Sequence, residues 1–390
     1  MSILKMLLFF GNIFGSIIRI LGLQNMIILE AEQGMTQNTL AVFHEMLKRG
    51  WDKKYRFLLA SKSPDLLVPL KSRRVSVIRR PQDGDNLCVY LRFQMKKIRA
   101  VMIIDENIQI RKGTSNSIRV YLSHGSPVKN THEYYNCLSD TDYALCQSEF
   151  WKPIESYCLA IPERVFVIKG LPRNDLFFSS KVMMADLFGD KYKKVVVWYP
   201  TFRQRDNRNC MQNTESAPIP IIHEEAAAKQ INEIAARYGV LIVVKPHPVQ
   251  DISLVEALNL SNLKVITDDF FIKHGLTSYE FLGKTDALIT DYSSVIFDYL
   301  LTRKPVALAQ EDYEEYEKKV GFAIDMDLLR SCSVQLNVPQ DFEEFFSDLV
   351  GGNDPLREKR EELMHLTNQY IDGNSTLRTV DWLEDLLDTR

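Results

Sequence analysis

Nowhere in the 390 residues is there a GxGxxG run or a Walker-type glycine loop, so neither dinucleotide nor P-loop binding is indicated. Cysteine is sparse: Cys88, Cys137, Cys146, Cys158, Cys210 and Cys332 are scattered, with no CxxC and no Cys/His cluster. They read as reduced thiols of a cytosolic protein and not as a zinc site. No internal repeat and no low-complexity tract stands out. An aromatic-plus-basic RNA signature is missing as well, so no nucleic-acid partner is expected. Two acidic pairs, Asp83-Gly84-Asp85 and Asp325-Met326-Asp327, imitate a metal-binding DxD. Neither lies at an expected strand end beside the motifs below, so both read as surface acids, and no metal or cofactor is expected. A long uninterrupted apolar run is also wanting. Ile3 to Leu23 comes nearest, but Lys5, Asn12 and Arg19 break it, and it has no convincing cleavage site for a signal peptide. It fits an amphipathic helix over 1–24 that lies on a membrane, Lys5 and Arg19 reaching headgroups. A helix packed on its own domain is the plainer alternative.

What is present is an ordinary globular composition in a chain long enough for two domains. The formal net charge is only −3, yet it is unevenly placed: residues 1–100 hold 17 Lys/Arg against 7 Asp/Glu, and residues 311–390 hold 8 against 20. A basic front suggests an anionic partner, with lipid headgroups or a phosphate polymer ahead of nucleic acid. Apolar runs such as Met26-Ile27-Ile28-Leu29, Val75-Ser76-Val77-Ile78 and Ala100-Val101-Met102-Ile103-Ile104 alternate with helical periodicity near 37–49 and 87–98. That alternation indicates parallel α/β sheets. The lysine-rich link after Gly189 marks the boundary, near 180–192, before a second domain that starts with Val195-Val196-Val197. Residues 204–220 read as a loop, and two acidic helices near 356–370 and 376–388 follow the last strand.

Polar groups collect where these strands end, which is the usual ligand address of an open α/β sheet. Thr290-Asp291-Tyr292-Ser293-Ser294 stands between Ala287-Leu288-Ile289 and a helical Val295-Ile296-Phe297-Asp298. Ser293 and Ser294 fall at a helix start, whose unpaired N–H groups and partial positive charge attract phosphate. Asp298, one turn on, can accept from a polyol hydroxyl. Helix capping by Asp291 or Ser293 explains the same residues without a ligand. In Ser123-His124-Gly125-Ser126-Pro127-Val128-Lys129, His124 can serve as a general base, Gly125 permits close backbone approach, and Lys129 can meet a phosphate. A structural histidine is the plainer reading. In Gly170-Leu171-Pro172-Arg173-Asn174-Asp175, Arg173 either grips phosphate or makes a salt bridge. Thr201 and Arg203 follow the strand 195–199 as donors. In Lys245-Pro246-His247-Pro248 two prolines hold His247 in place, or mark a rigid turn with an incidental histidine.

Taken together and in order, these motifs resemble the CDP-glycerol glycerophosphotransferase family, the teichoic acid primases and polymerases. The carriers are His124-Gly125-Ser126-Pro127-Val128-Lys129, Pro172-Arg173-Asn174-Asp175, Pro200-Thr201-Phe202-Arg203, Lys245-Pro246-His247-Pro248 and Thr290-Asp291-Tyr292-Ser293-Ser294 with Asp298. Ser126 and Val128 replace the more usual Thr and Leu. The resemblance implies a GT-B fold: two Rossmann-like domains facing a central cleft, an acceptor domain at 25–185, a CDP-donor domain at 186–370, and a C-terminal helix at 371–390 packing back. It implies His124 as general base and His247 as partner of the diphosphate. Ser293, Ser294, Arg173 and Arg203 would bind phosphate, with Asn174 nearby, and Asp298 would read a donor hydroxyl. Gly125, Ser126, Lys129, Thr201 and Lys245 complete the expected substrate contacts. The implied reaction moves a polyol phosphate, glycerol first, from CDP-glycerol or CDP-ribitol to a lipid-linked glycan or polyol-phosphate acceptor and releases CMP. Its place would be the cytoplasmic face of the cell membrane, peripherally on an anionic surface, in teichoic-acid-like or capsular polymer synthesis. Two alternatives stay open: a GT-B glycosyltransferase using a nucleotide sugar, and a non-catalytic partner in polymer assembly.

Overall fold

Strands that are apolar on both faces need cover on both faces, and this dictates the architecture. The computed structural model describes residues 3–31, 37–82, 84–107, 110–132, 140–202, 217, 219–247, 250 and 253–389. Among the described residues, thirteen strands form two sheets. The first holds β1 (Met26–Glu30), β2 (Arg56–Ser61), β3 (Val75–Arg79), β4 (Ala100–Asp105), β5 (Ile118–Tyr121), β6 (Tyr143–Cys146) and β7 (Phe166–Ile168). The second holds β8 (Lys194–Tyr199), β9 (Val240–Val244), β10 (Leu263–Val265), β11 (Ala287–Thr290), β12 (Val306–Ala309) and β13 (Val334–Leu336). Every ladder between these strands is parallel. The orders are β3-β2-β1-β4-β5-β6-β7 and β10-β9-β8-β11-β12-β13. Both are doubly wound, with the strand order reversing between β1 and β4 and between β8 and β11, and ligands of such sheets bind outside the strand ends at that point.

The chain divides into two compact units. One comprises Met1–Ser126, His132–Asp175 and Asp372–Arg390; the other comprises Pro127–Thr131 and Leu176–Ile371. In the first, one face of the sheet is covered by a cluster including Val42, Phe43, Met46, Phe57, Val380 and Leu383. The other face carries Met26, Ile28, Leu58, Phe93 and Ile103. The helix Ser375–Asp388 is thus part of the first unit's core although it follows the whole second unit. Asp175 fixes its start, accepting from the amides of Ser375 (2.8 Å) and Thr376 (2.7 Å). The second unit packs Ile231, Ile234, Phe342 and Phe346 against Trp198 and Ile242.

Burial of Arg119 inside the first sheet is offset by pairing. Its Nη2 meets Asp105 at 2.8 Å, and its Nη1 meets Asp140. This ties β5 to β4 just before the chain reaches His124. The helix Ile3–Ile20 is present, and among the described helices none is long and apolar enough to cross a membrane. Cys88, Cys146 and Cys332 are free thiols; Cys137 and Cys210 lie outside the described residues. Asp85 pairs with Arg79 and accepts from the Gln82 amide, and Asp325 accepts from the Asp327 amide, so both acids cap local turns.

Candidate active site

In the first unit, β5 delivers a turn bent tightly enough to expose a side chain. Ser123 adopts φ 67° and Gly125 φ 124°. A left-handed serine is uncommon, and such conformations cluster at functional sites. His124, between them, is exposed. Its amide donates to the Tyr121 hydroxyl (3.0 Å), and its carbonyl accepts from Arg173 Nη1 (3.1 Å). Asn38 Nδ2 donates to the Ser123 carbonyl (3.0 Å), and Asn38 Oδ1 accepts from the Arg173 amide (2.9 Å). Arg173 and Asn174 are buried. The Pro172-Arg173-Asn174-Asp175 run is therefore a brace: Arg173 holds the histidine turn, and Asp175 caps the helix Ser375–Asp388. Ser126 is buried and donates to Gln147 Oε1 at 2.7 Å. Glu155 lies beneath the same turn, where burial raises its carboxyl well above the usual range and Ser126 opposes the shift. Sequence reasoning missed Asn38, Gln147 and Glu155, because each acts through a partner distant in sequence, and Tyr121, because its partner is a backbone amide that no side-chain pattern marks.

Lys129 belongs with the second unit. It forms an antiparallel bridge with Phe322, and the Val128 carbonyl accepts from the Ala323 amide (2.9 Å). The motif His124–Lys129 is consequently divided between the units at Ser126/Pro127.

Within the second unit, the ends of β8, β9 and β11 are joined by side chains. Thr201, beyond β8, is buried; its amide and its Oγ1 donate to Asp291 at 3.0 and 2.5 Å. Asp291 also accepts from the Tyr292 amide (2.6 Å). The His247 ring lies 4.9 Å from the Phe202 ring. Lys245 pairs with Asp268 at 2.9 Å. Burial, then Lys245 and Lys129, lower the His247 pKa from its ordinary 6.5, while Asp268 opposes them. An exposed imidazole among ammonium groups marks a positive neighbourhood suited to an anion.

Ser293 and Ser294 are half-buried where the helix Val295–Tyr299 begins. Ser294 sits at the N-cap, and its side chain makes no capping bond. Asp291 accepts from Thr201 and Tyr292. Asp298 is buried, and its Oδ2 accepts from the Tyr279 hydroxyl at 2.5 Å. Arg203 and Pro248 lie outside the described residues. Beyond β12 is a feature sequence reading did not find, an open cavity of about 610 Å³ lined by His223, Glu311, Asp312, Tyr313, Glu315 and Arg330. Arg330 stacks on Tyr313 at 4.6 Å, and His223 Nε2 lies 2.8 Å from Glu311. Asp312 accepts from the Tyr292 hydroxyl (3.0 Å), which connects this cavity to the Asp291–Ser294 turn.

The sequence profile of CDP-glycerol:poly(glycerophosphate) glycerophosphotransferase matches residues 23–385. The chain belongs to that family. It is 25% identical over 258 residues to the teichoic acid ribitol-phosphate primase of Bacillus spizizenii, covering 64% of this chain and 60% of that protein. To the teichoic acid glycerol-phosphate primase of Bacillus subtilis it is 23% identical over 297 residues, 75% of this chain and 69% of the relative. Among solved structures, the wall teichoic acid polymerase TagF, in a variant soaked with CDPG, superposes with a TM-score of 0.71 at 16% identity, over 94% of this chain and 90% of that one. The glycerophosphotransferase fold of this chain is thus of the GT-B class, an α/β chain of two parallel sheets.

Proposed function

We propose that this chain transfers a polyol phosphate, glycerol phosphate first, from a CDP-polyol to a hydroxyl of a membrane-associated, lipid-linked acceptor and releases CMP. The observation that carries the reading is the junction of strand ends in the second unit. There Thr201–Asp291 and Phe202–His247 draw three strand ends together beside Ser293 and Ser294, the latter making no side-chain capping bond. Family membership supplies the class of donor.

In this reading the acceptor oxygen attacks the phosphorus that bears the polyol, and the bond from that phosphorus to the CMP oxygen breaks. The acceptor's proton passes to the imidazole of His124. CMP leaves as a phosphate, its growing charge steadied by His247, Lys245, Lys129 and the amides and hydroxyls at Ser293 and Ser294. Positioning and electrostatic stabilisation supply most of the rate, as in phosphoryl transfer generally. Thr201 and Asp298 are buried and engaged by Asp291 and Tyr279, so their role is to hold the turn and its helix in place. The Arg330–Tyr313 stack with Glu311 and Glu315 offers a planar face and carboxylate acceptors, which suits the cytosine ring and its amino group.

The test is CMP release from CDP-glycerol and CDP-ribitol with a lipid-linked acceptor analogue, products identified by mass. His124→Ala loses about 10²- to 10⁴-fold in kcat with its thermal midpoint unchanged. Stabilisation by UDP- or GDP-sugars alone, with no turnover of either CDP-polyol, overturns the assignment in favour of a sugar transferase. Binding of a CDP-polyol without CMP release points to the non-catalytic partner instead.

A further inference from the structure

In the second unit the helix Tyr313–Lys319 is ended by a glycine two residues on, which turns the chain back over it. Gly321 takes φ 74°, a left-handed conformation open to it for want of a Cβ, and its amide donates to the Tyr316 carbonyl at 3.3 Å. The turn lays the Phe322 ring on the helix's own tyrosines. Its centre is 5.3 Å from that of Tyr313 and 6.0 Å from that of Tyr316. Tyr292, stacked on Tyr316 at 3.8 Å, completes the group at 5.6 Å from Phe322. Tyr292 and Tyr316 are buried, so the ring rests on a fixed floor. Tyr313 is also the ring on which Arg330 stacks in the cavity beyond β12.

The backbone of Phe322 holds a second segment, Pro127–Thr131, which belongs to the same unit. The Ala323 amide donates to the Val128 carbonyl (2.9 Å), and the Asn130 amide donates to the Gly321 carbonyl (3.1 Å). These bonds flank the antiparallel pair Lys129–Phe322. Two residues paired in this way do not bond each other, and their side chains stand close together on one face. Val128, one place back, points to the other face and is buried. The side on which Phe322 stacks therefore sets the side on which Lys129 emerges, and a slip of one residue would reverse it. The ammonium group so directed is one of the charges felt by His247.

We propose that Phe322 is a positioning residue of the donor site: stacked on Tyr292, Tyr313 and Tyr316, it fixes the register of residues 127–131 and so holds the Lys129 ammonium toward the diphosphate. The proposal deepens the function proposed above and rests on that reading for the identity of the anion. In this role Phe322 acts through Lys129 and not on the donor itself.

The first test needs no ligand. NMR titration of the His247 ring in the full chain shows its pKa raised by Phe322→Ala and by Lys129→Met alike, and raised no further when both are changed, because each removes the same positive charge. The second test is calorimetric titration with CDP and with cytidine. Phe322→Ala and Lys129→Met each weaken CDP about ten-fold or more, leave cytidine within about two-fold, and together cost no more than Lys129→Met alone. Phe322→Tyr keeps the stack and binds CDP as the parent does. Ala323→Pro keeps the ring but removes the amide that bonds Val128; it reproduces the loss for CDP and serves where Phe322→Ala does not fold. A His247 ring that Phe322→Ala leaves unmoved overturns the proposal, as does full additivity with Lys129→Met. Equal losses for CDP and cytidine overturn it in favour of a plain wall of the cavity. CMP release from CDP-glycerol and CDP-ribitol is measured alongside. The expected coupling without CMP release leaves the positioning role standing and removes the transferase reading. CMP release with CDP binding untouched by Phe322→Ala does the reverse, and absence of CDP binding by the unaltered chain overturns both.

Discussion

Glu30 ends β1 inside the first unit, where its Oε2 accepts from the amides of Glu106 (3.1 Å) and Asn107 (2.8 Å). Burial, and then the charge of Asp105, push its pKa from 4.5 up to about 8. Between those two values the unfolded chain has released this proton and the folded chain has kept it. Stability therefore falls as pH rises through that window. Glu30→Gln removes the dependence by up to about 1.4 kcal/mol per pH unit. Thermal melts at a series of pH values show the variant gaining on the parent toward pH 8, and the gap closing in acid. His247 has the opposite shift, lowered by burial and two lysines. A diphosphate beside it favours the imidazolium, so CDP binding takes up a proton and tightens as pH falls toward the free-state pKa. An NMR titration of the His247 ring with and without CDP shows an upward shift on binding; an unmoved ring removes His247 from the donor site.

At the scale of elements, Asp175 is the most consequential short link. Its carboxylate accepts from two amides at the start of the helix Ser375–Asp388, and burial, only partly offset by those bonds, raises its pKa. Asp175→Ala costs about 1–2 kcal/mol, read as earlier exchange of that helix's amides with deuterium. Nothing near residue 175 in the sequence announces a partner two hundred positions away. The strands were legible where apolar runs are long and β-branched, as at Val195-Val196-Val197 and Leu241-Ile242-Val243-Val244, both buried throughout. Short strands such as Val334–Leu336 carry too few residues to show a period. The helix Phe342–Gly351 is dense in phenylalanine, which suits helix and strand alike. Of the site, the motifs at strand ends were readable because turn chemistry is local. What the structure adds is who holds whom: Arg173 against the His124 carbonyl, Asp291 against Thr201, and the aromatic and acidic wall beyond β12.

For the molecule as a whole, charge and connectivity are arranged separately. The basic residues of the first hundred positions belong to the first unit, while the acidic helix Ser375–Asp388 returns to that same unit by Arg49–Asp381 (2.5 Å) and Lys54–Asp388 (3.2 Å). Its apolar side, Val380 and Leu383, completes the cover of the first sheet. Leu383→Asp places an unpaired carboxylate there, and hydrogen exchange then shows protection lost across β1, β2 and β4 while β8, β9 and β11 keep theirs. Equal loss in both sheets rejects the view that the two units are independent cores. The return of Ser375–Asp388 also bears on how the protein is made. A ribosome delivers β1 to β7 long before it delivers the helix that seals them, and at ordinary elongation rates the delay is on the order of tens of seconds. Through that interval the nascent first unit keeps a greasy strip uncovered, so the later-synthesised unit is the one able to finish folding as soon as its own residues have emerged.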